Sequence, residues 1–210
     1  EPWLNPKGFE QIVYDVLANT QDMNIIEKPE PEDTPFYINN GTINVGNTNG
    51  KVILQTFSLE SLVRVAEVFQ GKVPMCFLLW KGTGATDLTY DDPLGYASFI
   101  NLGVKYKAHF IGPCIAGAPN DYPELDQPWQ DYLIHRAKMK NHPYTFDTYD
   151  QMAKYFGQYN FGVADGMFNP PYLDALFTNH SDMSINYMIT HGWRKSPASQ
   201  TLVDAREVLR

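Results

Sequence analysis

The sequence has little of what marks a membrane span, a disulfide scaffold or a nucleic-acid surface. Its longest apolar run, residues 73–80, is far shorter than the roughly 20 residues that cross a bilayer. Sixteen Lys and Arg stand against 24 Asp and Glu, for a net charge of -8, and the basic residues form no block. No transmembrane segment is therefore predicted, and nucleic acid and anionic membranes are not expected partners.

Cysteine is also scarce. Cys76 and Cys114 are the only two, and neither has metal-ligand spacing. This excludes a cysteine zinc site and a disulfide-dense scaffold, but leaves open either one disulfide or two buried thiols. Asn40 and Asn179 each begin a glycosylation triplet, which is weak support for secretion because such triplets arise by chance.

What the sequence has is enough apolar material for one core. The 210 residues are 43% hydrophobic, which predicts one domain or part of one. Aromatic residues are plentiful, with 13 Tyr, 12 Phe and 4 Trp. They are typical either of a ligand cleft or of a core built from large side chains, and the core is the simpler interpretation.

Hydrophobic periodicity predicts alternating strands and helices. An apolar helix face runs through residues 9, 12, 13, 16 and 17, and a Pro-rich surface loop follows at 27–50. Further helices are predicted at 62–69 (capped by Ser58 and closed by Gly71), 95–104, 131–138, from a Thr148–Gln151 capping box, at 181–192 (capped by Ser181) and at 199–210. Strands are predicted at 52–54, 73–80, 108–115, 143–146, and at either 167–168 or 176–177.

This alternation predicts βα units and a parallel sheet. A doubly wound sheet and a partial (β/α)8 barrel both fit about five strands, and periodicity does not separate them. The sequence lacks a Gly-rich dinucleotide loop, a P-loop and a nucleophile elbow, which excludes the commonest functions of doubly wound proteins.

Four segments, in order, resemble the glycerophosphodiester phosphodiesterase family. VILQTFS at 52–58 resembles that family's fifth barrel strand, and EPW at 1–3 resembles the stretch just after the fourth. HPYT at 142–145 resembles the end of the seventh strand, and FTN at 177–179, followed by Asp182, resembles the eighth. The resemblance implies an incomplete TIM-type (β/α)8 barrel in residues 1–192, roughly strands 5 to 8 with the N-terminal strands missing. Residues 193–210 would form a helical tail.

The last strand departs from the family pattern. The family runs from an Asp-Gly pair directly to Phe and Thr, whereas here residues 164–168 and 174–179 each supply part of that pattern. NPPY at 169–172 lies between them, so either an insertion splits the strand or one match is spurious. The register of the eighth strand stays open.

The family's activity is the hydrolysis of glycerophosphodiesters to glycerol 3-phosphate and an alcohol, with calcium or magnesium. The resemblance places the catalytic His-Arg-Gly, Glu-x-Asp, second His and Glu-x-Lys on the first four strands, and none has a match here. Glu1 falls just past that Lys, and the acidic stretch 27–33 lies among prolines. No catalytic or metal-binding residue is therefore assigned.

The expected chain is thus a fragment, inactive alone, whose partners are a small-molecule glycerophosphodiester and the missing N-terminal half of the barrel. The family also implies a secreted or periplasmic location. The alternative is a non-catalytic binding or scaffolding domain that lacks the metal site, although a half-barrel leaves sheet edges unpaired. Phospholipase D-type toxins that act on sphingomyelin share similar barrel and metal chemistry, but the matched segments favour the glycerol-specific branch.

Candidate substrate-binding residues follow from the barrel, whose mouth lies at the carboxyl ends of its strands. They are Gln55, Phe57, Trp80, Tyr144 and Phe177. Each is equally well interpreted as an ordinary core or rim residue, and Tyr144 is the preferred candidate.

The histidines and three aspartates are assigned structural positions. His109 is predicted in the core, His142 before a strand and facing away from the mouth, His135 within a helix, and His180 and His191 on either side of the last helix. Asp165, Asp174 and Asp182 are predicted as turn and cap residues.

Overall fold

The computed structural model describes residues 8–19, 52–70, 72–81, 90–158 and 173–192. The elements are α1 (Phe9–Asn19), β1 (Leu54–Thr56), α2 (Leu59–Phe69), β2 (Met75–Leu79), α3 (Pro93–Lys105), β3 (Phe110–Pro113), α4 (Pro128–Arg136), β4 (Lys140–Asn141), α5 (Tyr149–Met152) and α6 (Ser181–Thr190). A 3-10 turn (Pro123–Leu125) precedes α4, and a π-helix (Ala153–Gln158) continues α5. Residues 1–7, 27–50, Gly71 and 193–210, on which several predictions fall, lie outside these ranges.

The four strands form one parallel sheet in the order β1-β2-β3-β4. Leu54 pairs with Met75, Cys76 with Phe110, and Phe110 with Lys140, so the carboxyl ends of the strands lie at one edge. The predicted α/β class with a parallel sheet is confirmed. The order follows the chain without reversal, which is consistent with an arc of an α/β barrel.

The centre of the sheet is fully buried and its β1 edge is not. All five residues of β2 are buried, as expected for a strand covered on both faces. The prediction that 52–54 is buried on both faces is wrong, because Ile53 is 37% exposed and Gln55 is exposed. Among the described residues, β1 pairs only with β2 and therefore lies at the edge of the sheet.

Polar caps set most helix ends where the sequence predicts them. The Ser58 hydroxyl accepts from the Ser61 backbone N–H, and Thr148 and Gln151 form the predicted capping box. Ser181 is a correction, because it is the first helical residue of α6 and His180 occupies the cap position without a side-chain cap bond. Gly192 follows α6 with φ of 74°, the left-handed conformation that favours glycine at a helix end.

The last part of the sheet begins earlier than predicted. β4 is Lys140–Asn141 rather than 143–146, and a single parallel bridge then joins Tyr144 to Cys114. The segment 173–178 runs beside it, with Asp174 N–H donating to the Asn141 carbonyl and Phe177 N–H donating to the Pro143 carbonyl. These bonds advance in the same direction along both segments, which is the parallel sense. The other candidate strand, 167–168, and Asp165 lie outside the described residues.

The first helix buries a different face from the one predicted. Val13 and Leu17 pack against the core as expected, but Phe9, Ile12 and Val16 are exposed. The buried side instead includes Glu10, which is only 6% exposed. Its carboxylate lies 2.9 Å from the Arg64 guanidinium on α2, and this ion pair makes its burial tolerable.

Two further expectations concern the thiols and membranes. Cys76 and Cys114 are both free and buried, so the buried-thiol alternative is the correct one.

In the described ranges no helix is both long and apolar enough to cross a membrane.

Candidate functional site

Three of the five predicted binding residues meet at the carboxyl edge of the sheet. Phe57 directly follows β1, Trp80 directly follows β2, and Tyr144 lies in the continuation of β4. The Phe57 ring lies 5.2 Å from the Trp80 ring and 5.6 Å from the Tyr144 ring, the latter edge-on. Both spacings fall within the range that aromatic pairs prefer. Phe57, Trp80 and Tyr144 are called the aromatic cluster below.

The Tyr144 hydroxyl makes a hydrogen bond within the protein. Its hydroxyl donates to the Leu79 carbonyl across 2.9 Å, and the side chain is buried. Burial raises the pKa of Tyr144 well above its ordinary value, so the phenol stays protonated. Tyr144 therefore presents a ring to the cluster rather than a proton donor for chemistry.

The thiol beside Tyr144 is also unsuited to chemistry. Cys114 directly follows β3, and its Sγ lies 3.5 Å from the carbonyl oxygens of Ile115 and Asn120. Burial raises the pKa of Cys114 to about 12. A thiol that stays protonated at neutral pH is a weak nucleophile, so Cys114 serves as packing.

The indole of Trp80 carries a hydrogen-bond donor without an acceptor among the described residues. Its Nε1 is shielded from solvent, and no acceptor bonds to it within the described ranges. A buried indole N–H usually finds a hydrogen-bond partner. A hydroxyl or phosphate oxygen of a ligand reaches this N–H only when the side chains that shield it move apart.

Gln55 and Phe177 take other positions. Gln55 lies within β1, not after its end, and its side chain is exposed. Phe177 lies in the segment beside 143–146, where its carbonyl accepts from the Phe146 N–H across 2.9 Å. Its side chain is 39% exposed. Strand β1 ends at Thr56, two residues past the predicted end at 54, so Gln55 lies one residue before the strand end.

Gln151, which the sequence predicts only as part of a capping box, also connects two segments at this edge of the sheet by hydrogen bonds. The Gln151 Oε1 accepts from the backbone N–H groups of Asp147 and Thr148, at 2.8 and 3.0 Å. Its Nε2 donates to the carbonyls of Ala116 and Ala118, each at 3.1 Å. One amide therefore joins the start of α5 to the loop after β3.

A buried polar cluster lies where β4 begins. The Asp174 carboxylate accepts from His135 Nε2 at 2.7 Å, Lys140 Nζ at 2.9 Å and the Asn141 backbone N–H at 2.8 Å. His135 Nδ1 lies 3.2 Å from Asp131, which is fully buried. The sequence treats Asp174 as a turn residue and His135 as an ordinary helix residue. The one available signal is the i,i+4 spacing of Asp131 and His135.

Charge pairing decides the protonation of this cluster. Burial opposes a charged imidazole, but Asp131 and Asp174 outweigh it and raise the pKa of His135 to about 9. Burial also acts on Asp174, yet the bonds from His135, Lys140 and Asn141 hold its pKa below the ordinary value. Burial dominates at Asp131 and raises the pKa of that carboxyl. The cluster therefore contains an imidazolium bound to Asp174 at neutral pH.

The remaining histidines mostly lie where the sequence predicts. His109 is a core histidine whose Nδ1 accepts from the Met75 N–H at 3.0 Å, and burial lowers its pKa to about 3. His180 and His191 flank α6. His142 follows β4 instead of preceding a strand, because β4 begins at Lys140, and burial lowers its pKa. Asp182 lies exposed in the first turn of α6.

The described part of the chain holds no group of three or more His, Cys, Asp or Glu side chains arranged to bind a metal ion. Comparison of the sequence with models of known protein families and with curated proteins found no match. The family assignment rests on the four sequence segments and on the placement of the aromatic cluster, and it stays a proposal.

Proposed function

We propose that the chain is the C-terminal part of a metal-dependent glycerophosphodiester phosphodiesterase, a hydrolase of glycerol and lipid metabolism in a secreted or periplasmic setting. The complete enzyme hydrolyses a glycerophosphodiester to glycerol 3-phosphate and an alcohol. The observation that carries the proposal is the meeting of Phe57, Trp80 and Tyr144 at the carboxyl edge of a parallel sheet. In (β/α)8 enzymes, substrates bind at that edge.

The strand order supports the barrel over the doubly wound alternative. In a doubly wound sheet the strand order reverses at a switch point, where the ligand binds. The order β1-β2-β3-β4 has no reversal, and the segment 173–178 continues it beside β4. A sheet that adds each new strand on the same side is the arc from which a barrel is built.

The aromatic cluster suits the glycerol side of such a substrate. The carbon face of a polyol packs on aromatic rings, and the Trp80 N–H, which has no acceptor among the described residues, donates to a hydroxyl or phosphate oxygen once the side chains that shield it move apart. Calcium or magnesium, held by residues of the preceding strands, would supply the charge that activates the phosphate. The role proposed for this chain is to bind and orient the glycerol.

The test is an assay of the complete polypeptide, expressed from its coding sequence including whatever precedes Glu1. Release of glycerol 3-phosphate from glycerophosphocholine is measured with calcium, with magnesium and with chelator. Trp80→Phe keeps a ring and removes the N–H, so KM should rise roughly fivefold, the equivalent of about 1 kcal/mol for one hydrogen bond. The control Tyr106→Phe, just after α3 and hence at the opposite edge of the sheet, should leave KM unchanged.

Metal-dependent release that Trp80→Phe leaves untouched would remove the aromatic cluster from the substrate site. No release under any metal condition would remove the hydrolase assignment.

The second candidate is a non-catalytic binding or scaffolding domain. It accommodates the lack of a metal-binding group among the residues described, as does a hydrolase whose metal ligands lie on the preceding strands. Calorimetric titration of the complete polypeptide with glycerol 3-phosphate separates the two. Binding that Trp80→Phe weakens, with no hydrolysis in either metal, supports the binding domain.

A further inference from the structure

Three connections from the end of a helix to the start of the next strand lie side by side at the amino edge of the sheet. They are residues 70 and 72–74 before β2, 104–109 before β3 and 135–140 leading into β4. The His109 N–H donates to the Met75 carbonyl at 2.8 Å, and the Lys140 N–H donates to the His109 carbonyl at 3.1 Å. Because neighbouring strands are about 4.8 Å apart, the three strand starts span about 10 Å. This edge is opposite the one that holds the aromatic cluster.

The three connections are basic. They contain no Asp or Glu and six Lys or Arg residues, which are Lys72, Lys105, Lys107, Arg136, Lys138 and Lys140. Lys140 pairs with Asp174, and the Lys72 Nζ lies 2.6 Å from the Tyr14 hydroxyl. The other four side chains are exposed and form no ion pair with any residue that the structure describes. These four are called the basic face below: Lys105, Lys107, Arg136 and Lys138.

The fold gathers charges that are scattered along the chain. In the sequence the basic residues form no block and the net charge is -8, so no anionic partner is predicted. At physiological ionic strength, however, charges more than about 8 Å apart are largely screened from one another. A partner at the amino edge therefore interacts mainly with the basic face and only weakly with the acidic remainder of the chain.

Two lysines of the basic face occupy backbone positions that favour glycine. Lys107 and Lys138 have φ of 59° and 63°, the left-handed conformation, and Gln70 has φ of 48° in the first connection. Glycine usually takes this position at a helix end, because other side chains are disfavoured there. Both lysine side chains are exposed, so packing does not explain their presence. A residue kept at a conformational cost indicates a role for its side chain, here a positive charge.

Two exposed aliphatic side chains lie at the same edge. Val104 directly precedes Lys105 in the last turn of α3 and is 39% exposed. Ile53 directly precedes β1 and is 37% exposed, and the next residue, Leu54, donates its N–H to the Pro74 carbonyl at 2.9 Å. Apolar side chains beside Lys and Arg are typical of surfaces that lie on a membrane interface. The three described connections have no exposed aromatic side chain, so they lack the stacking contacts that single-stranded nucleic acid uses.

We propose that the basic face docks on a bilayer that contains anionic phospholipids, a partner beyond the substrate of the proposed function. Its Lys and Arg side chains attract the anionic head groups, and Val104 and Ile53 add apolar contact at the interface. The carboxyl edge of the sheet, with the aromatic cluster, then faces away from the bilayer. Lys81, at that edge, is instead paired with Glu124 at 2.8 Å.

The test is co-sedimentation of the complete polypeptide with vesicles of phosphatidylcholine, with and without phosphatidylglycerol. Binding is expected only to the anionic vesicles and should weaken as salt is raised, because salt screens the attraction. The double variant Lys107→Gln and Lys138→Gln should bind roughly 25-fold more weakly, since each lysine near an anionic surface contributes about 1 kcal/mol, or about fivefold. Lys81→Gln is the control at the opposite edge and should change binding by less than about twofold.

A second double variant, Lys107→Gly and Lys138→Gly, covers the case in which the glutamine variant folds poorly. Glycine removes both charges and suits the left-handed conformation, so the free energy of unfolding in urea should not fall while vesicle binding is lost. Release of glycerol 3-phosphate in solution should be unchanged in both double variants, which separates docking from hydrolysis.

Equal binding by the double variants and Lys81→Gln overturns the inference. Equal binding to vesicles with and without phosphatidylglycerol also overturns it, as does binding to neither. Tighter binding to duplex DNA than to the anionic vesicles overturns the bilayer as the partner and assigns the basic face to nucleic acid.

Discussion

The Tyr144 hydroxyl donates a hydrogen bond to the backbone carbonyl of Leu79 across 2.9 Å. Leu79 is the last residue of β2, and Tyr144 belongs to the continuation of β4, so the side chain spans the intervening β3. This one bond holds the aromatic cluster across the carboxyl edge of the sheet. The same carbonyl also accepts from the Cys114 backbone N–H at 3.2 Å, so Leu79 is joined to both β3 and the continuation of β4.

Tyr144→Phe is expected to keep the ring contact with Phe57 and lose the bond to Leu79. The free energy of unfolding should fall by about 0.5–1.5 kcal/mol, the net contribution of one hydrogen bond, because the Leu79 carbonyl keeps its second donor, the Cys114 N–H at 3.2 Å. Urea denaturation measures the change. Tyr149→Phe, at a tyrosine that is 54% exposed, is the control and should stay within about 0.5 kcal/mol. Equal effects in the two variants would mean that the bond contributes nothing specific.

Stability is expected to fall at alkaline pH through His135. Its pKa is raised to about 9 in the folded chain, above the unfolded value near 6.5. The contribution of the ion pair is therefore complete below about pH 6.5 and is lost as the pH rises through about 9. The loss should amount to about 3 kcal/mol, because each tenfold difference in proton affinity between the folded and unfolded chain corresponds to about 1.4 kcal/mol.

Urea unfolding at a series of pH values between 6 and 10 tests this, with His135→Gln as the comparison. The variant should be less stable at pH 6 and should show a flatter profile over the same range. Parallel profiles for the two proteins would assign the alkaline loss to other groups.

Asp174→Asn is expected to loosen the segment that carries Phe177. The substitution removes the charge that pairs with His135 and Lys140, and breaking a buried pair costs about 3–5 kcal/mol. Hydrogen exchange of the Phe177 amide, which donates to the Pro143 carbonyl, should accelerate. Asp182→Asn, at an exposed position in α6, should leave that amide unchanged. An unchanged rate in Asp174→Asn would show that the buried polar cluster does not position Phe177.

Gln151→Glu separates the two roles of that side chain. The carboxylate still accepts from Asp147 and Thr148, so the cap of α5 is kept. It has no hydrogen to donate to the carbonyls of Ala116 and Ala118, which it repels instead. Amide exchange should accelerate in the loop after β3 while α5 stays protected. Melting of α5 together with the loop would show that the two are one cooperative unit.

Periodicity in the sequence is enough to predict the centre of this fold. The apolar run 73–80 and the caps at Ser58 and Thr148 depend only on residues that are close in the sequence. Strand β2 and helices α2 and α5 form at these positions. The face of α1 is not predicted correctly, because burial of Glu10 depends on Arg64, which is 54 residues away. β4 begins early for a similar reason: Lys140 and Asn141 are polar, and partners such as Asp174 make their positions in the sheet favourable.

Part of the candidate site can also be predicted from the sequence, and part of it cannot. Phe57 and Trp80 lie at or near the ends of apolar runs, which predicts that they share one edge, because parallel strands end at one edge; Tyr144 is a candidate through the family resemblance of residues 142–145. The buried polar cluster of Asp131, His135 and Asp174 depends on a contact between distant segments that no local pattern encodes.

The most direct test of the central claim is to read the coding sequence upstream of the codon for Glu1. A glycerophosphodiester phosphodiesterase barrel predicts, in order, His-Arg-Gly, Glu-x-Asp, a second His and Glu-x-Lys, the last of these directly before Glu1. These residues would carry the metal ion and the proton transfers that the chain is proposed to complement. A start codon or signal peptide immediately before Glu1, with none of these motifs, would contradict the catalytic assignment for this polypeptide.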